Sequence, residues 1–278
     1  MSKKAVVEGG KQMVGFKKNK LISYLFIGFA LLFFYLPILL MIIFSFNDSR
    51  SLSSWQGFSL RWYVQLFRDR EIVEVVINTT VVALISTAVA TVVGTLTAIG
   101  ISKSGKVMRE VVLNVNNLPI LNPEIVTAIG LMLLFSSLGL RRGFLTMLIA
   151  HIAFCIPYVI LSVLPKLRSL DDNIAEAALD LGATSWQAMI KVIVPQIMPG
   201  IVSGALIAFT MSFDDFVISY FVTGNGFKNI SILVYTMSKR INPTINALSS
   251  ILVLIITIVL IVINIIPLLK KKERMIER

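Results

Sequence analysis

EAALDLGATSWQAMIKVIVP, residues Glu176 to Pro195, is the longest strongly helical stretch of this chain that does not belong in lipid, and its reading decides what the apolar sequence around it is for. Between Asp172 and Leu181, the residues Ile174, Ala177, Ala178 and Leu181 fall at i, i+3, i+4 and i+7 and make a small apolar face. Asp172, Glu176 and Asp180 form a second, acidic line at i, i+4 and i+8. Gly182 stands where a helix end takes a left-handed cap, and Thr184 with Gln187 three residues on has the form of a capping box. The spacing predicts helix, glycine turn, helix: a docking element. Pro195, with Pro199 and Gly200 behind it, is expected to bend the chain as it returns to apolar sequence at Ile201.

The sequence around this element is that of an integral membrane protein: 278 residues, 56% hydrophobic, 15% charged, mean hydropathy +0.85. A net charge of +11 raises the question of nucleic acid, but the Lys and Arg residues lie between apolar runs and at the ends, where membrane topology puts them. Nucleic acid is therefore not expected as a partner. The single Cys155 forms no intramolecular disulfide and has no metal-ligand spacing, so it reads as a buried small hydrophobe, and His151 on the same run reads as packed, with a proton relay as the alternative. There is no GxxxxGK[ST] phosphate loop, no paired His or Cys, and no nucleophile with its base. No catalysis, metal or cofactor is assigned to this chain.

Residues 1–20 form a basic tail, with six lysines against Glu8. An all-α, six-span permease domain is expected over 21–269, and a second basic tail over 270–278. The spans run from Leu21 to Phe46, Ile72 to Ile101, Val111 to Leu138, Phe144 to Leu164, Ile201 to Val222 and Ala247 to Leu269, each about the length a bilayer requires. Between the first two lie Trp55, Phe58, Trp62, Tyr63 and Phe67 at near-helical spacing, suited to a membrane interface. Gly94 and Gly100 in the second span favour close helix packing. Pro119 and Pro123 break the third, and a kink is expected at Pro157 in the fourth. Six spans place both ends on one side. With the ends inside, 17 Lys and Arg face the cytoplasm and 9 face out, and the loop at about 167–195 is cytoplasmic.

Three carboxylates fall at or near membrane depth: Glu124, Asp214 and Asp215. Each costs roughly 2.5 to 3.5 kcal/mol at a span centre on insertion scales, which calls for a compensating role. Asp214 and Asp215 sit about 100° apart on a continuous helix, so both border one path only along a helix edge. One reading is recognition of a cation, helped by aromatic faces such as Trp55. The other is that the acids cap a broken helix or pair with Arg141, Arg240 or another subunit. No basic residue lies at the centre of a span, which disfavours an oxyanion substrate.

The loop resembles the signature of ABC-importer permeases, Glu-Ala-Ala, three residues, Gly, nine residues, Ile-x-Leu-Pro, here carried by Glu176, Ala177, Ala178, Gly182, Val192, Val194 and Pro195. Two valines replace the family's Ile and Leu. In that family the loop fits a groove on a separate ATPase subunit. Within it the chain is similar to permeases of spermidine/putrescine importers over nearly its whole length after the tail: SFNDSR (45–50), WQGFSLRWY (55–63), NPEIVTAIGLMLLF (122–135), HIAFCIPYVI (151–160), EAALDLGAT (176–184) and SFDDFVISYFVTG (212–224). The resemblance implies a bacterial inner-membrane subunit with cytoplasmic ends, surrounded by lipid and paired with a second, related permease. It further implies two ATPase subunits that hold the ATP and Mg, and an extracytoplasmic polyamine-binding protein. Ala177, Ala178 and Glu176 then serve coupling with Gly182 and Pro195, while Trp55, Glu124, Asp214 and Asp215 line the substrate path. The alternatives are an importer permease for another small solute, a proton-coupled secondary carrier using the same acids, and a non-transporting scaffold.

Overall fold

The computed structural model describes residues 20–51, 54–171, 173–224, 226–238, 242–258 and 261. The expectations placed on the basic tails beyond these bounds, on Asp172 and on Arg240 lie outside the described residues. The chain divides into two units, Met1–Tyr63 with Pro243–Arg278, and Val64–Asn242.

The first unit holds α1 (Lys20–Ser45) and the segment that follows it, and α2 (Arg61–Arg68) begins at its boundary. The aromatics from Trp55 recur at near-helical spacing, yet helix begins only at Arg61. Before it the chain is extended, because buried Asn47 gathers it. Asn47 Nδ2 donates to the Ser54 carbonyl (2.7 Å), the Gln56 N–H donates to Asn47 Oδ1 (2.8 Å), and Trp62 Nε1 donates to the Asn47 carbonyl (2.7 Å). Phe46 and Phe58 stack with ring centroids 5.4 Å apart across the bridge between Asn47 and Phe58.

The second unit continues with α3 (Arg70–Lys103), α4 (Lys106–Leu121), α5 (Glu124–Ser137) and α6 (Phe144–Arg168). Then come α7 (Asn173–Asp180), α8 (Ser185–Ala188), a π turn at Met189–Ile193, α9 (Val194–Asp214), α10 (Val217–Thr223) and α11 (Ile230–Ser238). The last described helix, α12 (Thr244–Ile258), lies in the first unit.

Helices α3, α6 and α9 pack against one another to form the core of the second unit. Small residues set their approach: a Cβ at Gly94 of α3 would fall 2.8 Å from Val159 Cβ on α6, and one at Gly204 of α9 would fall 3.2 Å from Val159 Cα. Val159 is therefore held between two glycines on two helices, an arrangement that suits helices with no hydrophobic drive between them. Gly100 does not share this role. It is exposed with nothing within 4 Å, because six residues carry it about 240° around α3 from Gly94.

Among the described residues, four helices are long and apolar enough to cross a membrane: Ser23–Ser45, Arg70–Lys103, Phe144–Arg168 and Ser185–Asp214. The α4–α5 pair passes the same test jointly but bends by 104°. Apolar α12 is shorter, and most of the expected sixth span beyond it lies outside the described residues. Pro195 does not end the helix, which runs through it from Ser185 to Asp214. A proline ring clashes with the carbonyl four residues back. Here that carbonyl belongs to Lys191, inside the wider π turn, so the helix opens locally instead of breaking.

Candidate functional site

Two helix breaks build the site. The first follows from Asn122-Pro123. Proline excludes the helical conformation at the residue before it, and Asn122 is extended (ψ 146°), so α4 ends there and α5 starts at Glu124. Glu124 is thereby placed in the first turn of α5, where free N–H groups favour a carboxylate. Its side chain is exposed, and it lies directly beside Asp215.

The second break falls between Asp214 and Phe216, where Asp215 is extended (φ −62°, ψ 126°). The expectation of one helix edge carrying both acids is corrected here: the residues lie on opposite sides of a helix end. Asp214 is the exposed last residue of α9, whereas Asp215 is 6% exposed and turns inward. Its carboxylate accepts from the N–H of Ile218 (3.2 Å) and from both the N–H and Oγ of Ser219 (2.7 Å each), capping α10. The reading left open in the sequence, an acid capping a broken helix, describes Asp215. The ring facing this carboxylate is that of His151, and not an arginine, with Nε2 3.3 Å from Asp215 Oδ2.

The carbonyls left free at the end of α9 are met from the chain after α10. Ser231 Oγ donates to the Asp214 carbonyl (3.1 Å) and Asn229 Nδ2 to the Asp215 carbonyl (2.7 Å). Asn229 Oδ1 in turn accepts from Ile232 N–H (2.9 Å). Next to the break, Phe216 packs on Tyr220 and Tyr235 with centroids 5.5 and 4.9 Å away, and Tyr220 is half exposed. A separate cavity of about 440 Å³ is lined by Met132, Arg142, Tyr220, Lys228 and Thr236, and its two cations do not suit an amine.

His151, Asp215 and Ser219 also meet at hydrogen-bond distance, a grouping the sequence analysis did not anticipate. It is no hydrolytic triad. Serine and carboxylate share one ring nitrogen, Nε2, while Nδ1 faces Ser212 Oγ at 2.7 Å, and all four side chains are buried. Ser212, Ser219 and Asn229 were missed. The available signal was a carboxylate followed four residues later by serine at the start of an apolar run, an N-cap pattern. His151 was read as packed; it is buried, and bonded through both nitrogens.

Trp55 stands in the other unit, half exposed and edge-on to Phe44 with centroids 6.4 Å apart. The loop from Glu176 to Pro195 has the expected form of helix, glycine turn and helix. Gly182 has φ +87°; the Gly182 N–H donates to the Leu179 carbonyl (2.9 Å) and the Ala183 N–H to the Ala178 carbonyl (3.1 Å), the two bonds of a Schellman cap. Thr184 and Gln187 close the capping box, with the Thr184 N–H on Gln187 Oε1 (3.0 Å) and the Gln187 N–H on Thr184 Oγ1 (3.3 Å). Leu181, at 89%, and Trp186 are left exposed on this element.

A chain of apolar helices, two of them broken at carboxylates, with a capped two-helix loop, is the architecture of an importer permease. The family described as binding-protein-dependent transport system inner membrane component matches residues 90–269, and the chain belongs to that family. Its relatives include the spermidine/putrescine transport system permease protein PotC of Haemophilus influenzae, 35% identical over 234 residues that cover 84% of this chain and 90% of the relative. The putrescine transport system permease protein PotI of Escherichia coli strain K12 is 38% identical over 240 residues, 83% of this chain and 84% of the relative. A solved bacterial ABC transporter involved in import of the acidic polysaccharide alginate shares the fold, with TM-score 0.66 at 17% identity over 87% of this chain and 92% of that one. A second, in complex with an alginate pentasaccharide-bound periplasmic protein, gives 0.61 at 17% identity over 85% and 91%. Family membership sets the secondary-carrier alternative aside.

Proposed function

We propose that this chain is one permease subunit of an ATP-driven polyamine importer of the bacterial inner membrane, a six-span protein with both ends in the cytoplasm. A second, related permease completes the translocation path, two ATPase subunits bind ATP and Mg, and an extracytoplasmic binding protein delivers spermidine or putrescine. The observation that carries the reading is the meeting of two helix breaks at acids, Glu124 beside Asp215 with Asp214 exposed at the end of α9, next to the aromatic faces of Phe216 and Tyr220. Carboxylates hold ammonium groups by charge-assisted hydrogen bonds and aromatic faces add cation-π attraction. The relatives PotC and PotI support the same substrate class. Trp55 is assigned to the entrance of the path, and Asp215 acts on it chiefly by fixing Glu124.

Coupling runs through Glu176 to Pro195. Exposed Leu181 and Trp186 supply apolar area for an ATPase groove, and Ala177, Ala178 and Gly182 keep the element compact. The test is uptake of labelled spermidine and putrescine by the assembled importer in proteoliposomes. The Glu124→Gln/Asp214→Asn variant is expected to lose at least about tenfold in uptake, the scale of a charge-assisted contact, while assembly and substrate-free ATP hydrolysis persist. Import by the double variant at the wild-type rate refutes the path assignment, and a wild-type complex that imports neither amine refutes the substrate.

A further inference from the structure

We propose that His151 is a positioning residue for transport: by clamping the α9–α10 break through Ser212, Ser219 and Asp215 it fixes the end of α9 and the Glu124 carboxyl, without touching substrate. The proposal rests on the reading of Glu124 and Asp214 as path residues.

A helix that stops inside a membrane protein leaves carbonyls free on one side of the break and N–H groups on the other, and no lipid can satisfy them. The chain's own local groups answer only part of this demand. Asp215 caps α10, but doing so buries a carboxylate among apolar helices, and such a group must be paired. His151, fully buried on α6, supplies the partner.

The position of the ring gives it a second task. Its Nδ1 is 2.7 Å from Ser212 Oγ, in the last turn of α9, and its Nε2 is 3.0 Å from Ser219 Oγ, in the first turn of α10. One rigid ring thus spans the break from helix to helix. Ser212 Oγ continues to Ser86 Oγ on α3 at 2.9 Å, and Ser219 Oγ accepts from Asn229 Nδ2 at 2.9 Å. Four elements and the segment before α11 are tied through this imidazole. Glu124 interacts with Asp215, so the carboxylate that His151 orients is the one Glu124 rests beside.

The two nitrogens make the idea separable from simple packing. Gln at 151 places an amide about where Nε2 stands and keeps the arm to Asp215 and Ser219. Asn reaches only about as far as Nδ1 and keeps the arm to Ser212. Leu fills the space and keeps neither. In the assembled importer, His151→Leu is expected to raise KM for labelled putrescine roughly tenfold with kcat little changed, the scale of one lost charge-assisted hydrogen bond. His151→Gln restores KM to within about threefold, and His151→Asn does not, since the lost bond is the charged one. Adding Asp215→Asn to His151→Leu raises KM no further, because the two act as one unit.

A second readout needs no substrate. In a Cys155→Ser background, which leaves no other cysteine in this chain, an Asp214→Cys thiol is labelled with a charged methanethiosulfonate reagent and the labelling of this subunit is read. The labelling rate shifts in His151→Leu and returns in His151→Gln. If the wild-type importer moves no polyamine, the substrate reading falls while this rate still judges the clamp. The proposal is overturned if Leu, Gln and Asn variants share the wild-type KM and labelling rate, or if Gln and Asn are equally impaired. Should the Leu variant fail to assemble, the contrast between Gln and Asn in both readouts decides.

Discussion

The loop at Gly182 and the break at Asp215 interrupt helices in the same unit, and they heal the interruption in opposite ways. At Gly182 the bonds that heal the interruption all lie within five residues: the Schellman bonds reach back to Leu179 and Ala178, and the capping box spans three residues. At Asp215 only the cap on Ile218 and Ser219 is local; the other partners come from His151 on another helix and from Asn229 and Ser231 beyond α10. A locally satisfied interruption needs nothing from the rest of the protein and can present its side chains outward. A remotely satisfied one is rigid only when the whole bundle is assembled around it. Under the proposed function, the first suits an element that engages and releases a partner subunit, and the second suits acids held fixed along a path.

The widest gap between the two should appear at Asn229. Its amide serves the Asp215 carbonyl, Ser219 Oγ and the Ile232 N–H together, and all of these are interior. Asn229→Leu keeps similar bulk but leaves a carbonyl and an N–H buried without partners, at about 1–3 kcal/mol each. The thermal unfolding midpoint of the purified complex is expected to fall by several degrees, and labelling of Asp214→Cys to change with it. An unchanged midpoint would mean that the break is not held from outside its own sequence.

Gly182→Val strikes the other interruption. Nothing lies within 4 Å of a Cβ there, so the whole effect is the backbone: at φ +87° a β-branched residue costs about 1–2 kcal/mol. Substrate-stimulated ATP hydrolysis should drop while the unfolding midpoint of the bundle stays put, and Gly182→Asn, which tolerates the left-handed region, should retain coupling. A midpoint that moves as far as that of Asn229→Leu would erase the distinction between the two sites.

The same distinction explains what could be read from residues alone. Gly182, Thr184 and Gln187 carry their structural instructions within a few positions, and Pro123 excludes helix at its immediate neighbour, so the docking loop and the first break were both legible. Asp215 was ambiguous because its decisive partner is 64 residues away, and one sequence does not say which of two adjacent acids turns inward. Gly94 and Gly100 looked alike because composition does not record which helix face meets Val159. The unbroken helix through Pro195 was not legible because a π turn has no residue signature that a proline rule anticipates. Family membership and fold followed from the loop and the apolar runs, whereas the division of labour between Asp214 and Asp215 required coordinates.

The smallest effect is expected at Thr184, and it tests the local end of the comparison most directly. Thr184→Ala removes the hydroxyl that accepts the Gln187 N–H at 3.3 Å, while the bond from the Ala188 N–H to the Thr184 carbonyl at 2.9 Å needs no side chain and survives. Loss of an N-cap of this kind costs about 1 kcal/mol, and α8 has only four residues over which to absorb it. The cost should stay where it arises. Amides of 185–189 are expected to exchange roughly fivefold faster, the equivalent of about 1 kcal/mol in a local opening equilibrium, with Thr184→Ser close to wild type. Exchange in α10, around Ile218 and Ser219, should not change, because no bond of the capping box reaches that far. Faster exchange at Ile218 in the Thr184→Ala protein would show that the loop and the break are one cooperative unit, and the contrast drawn between them would have to be given up.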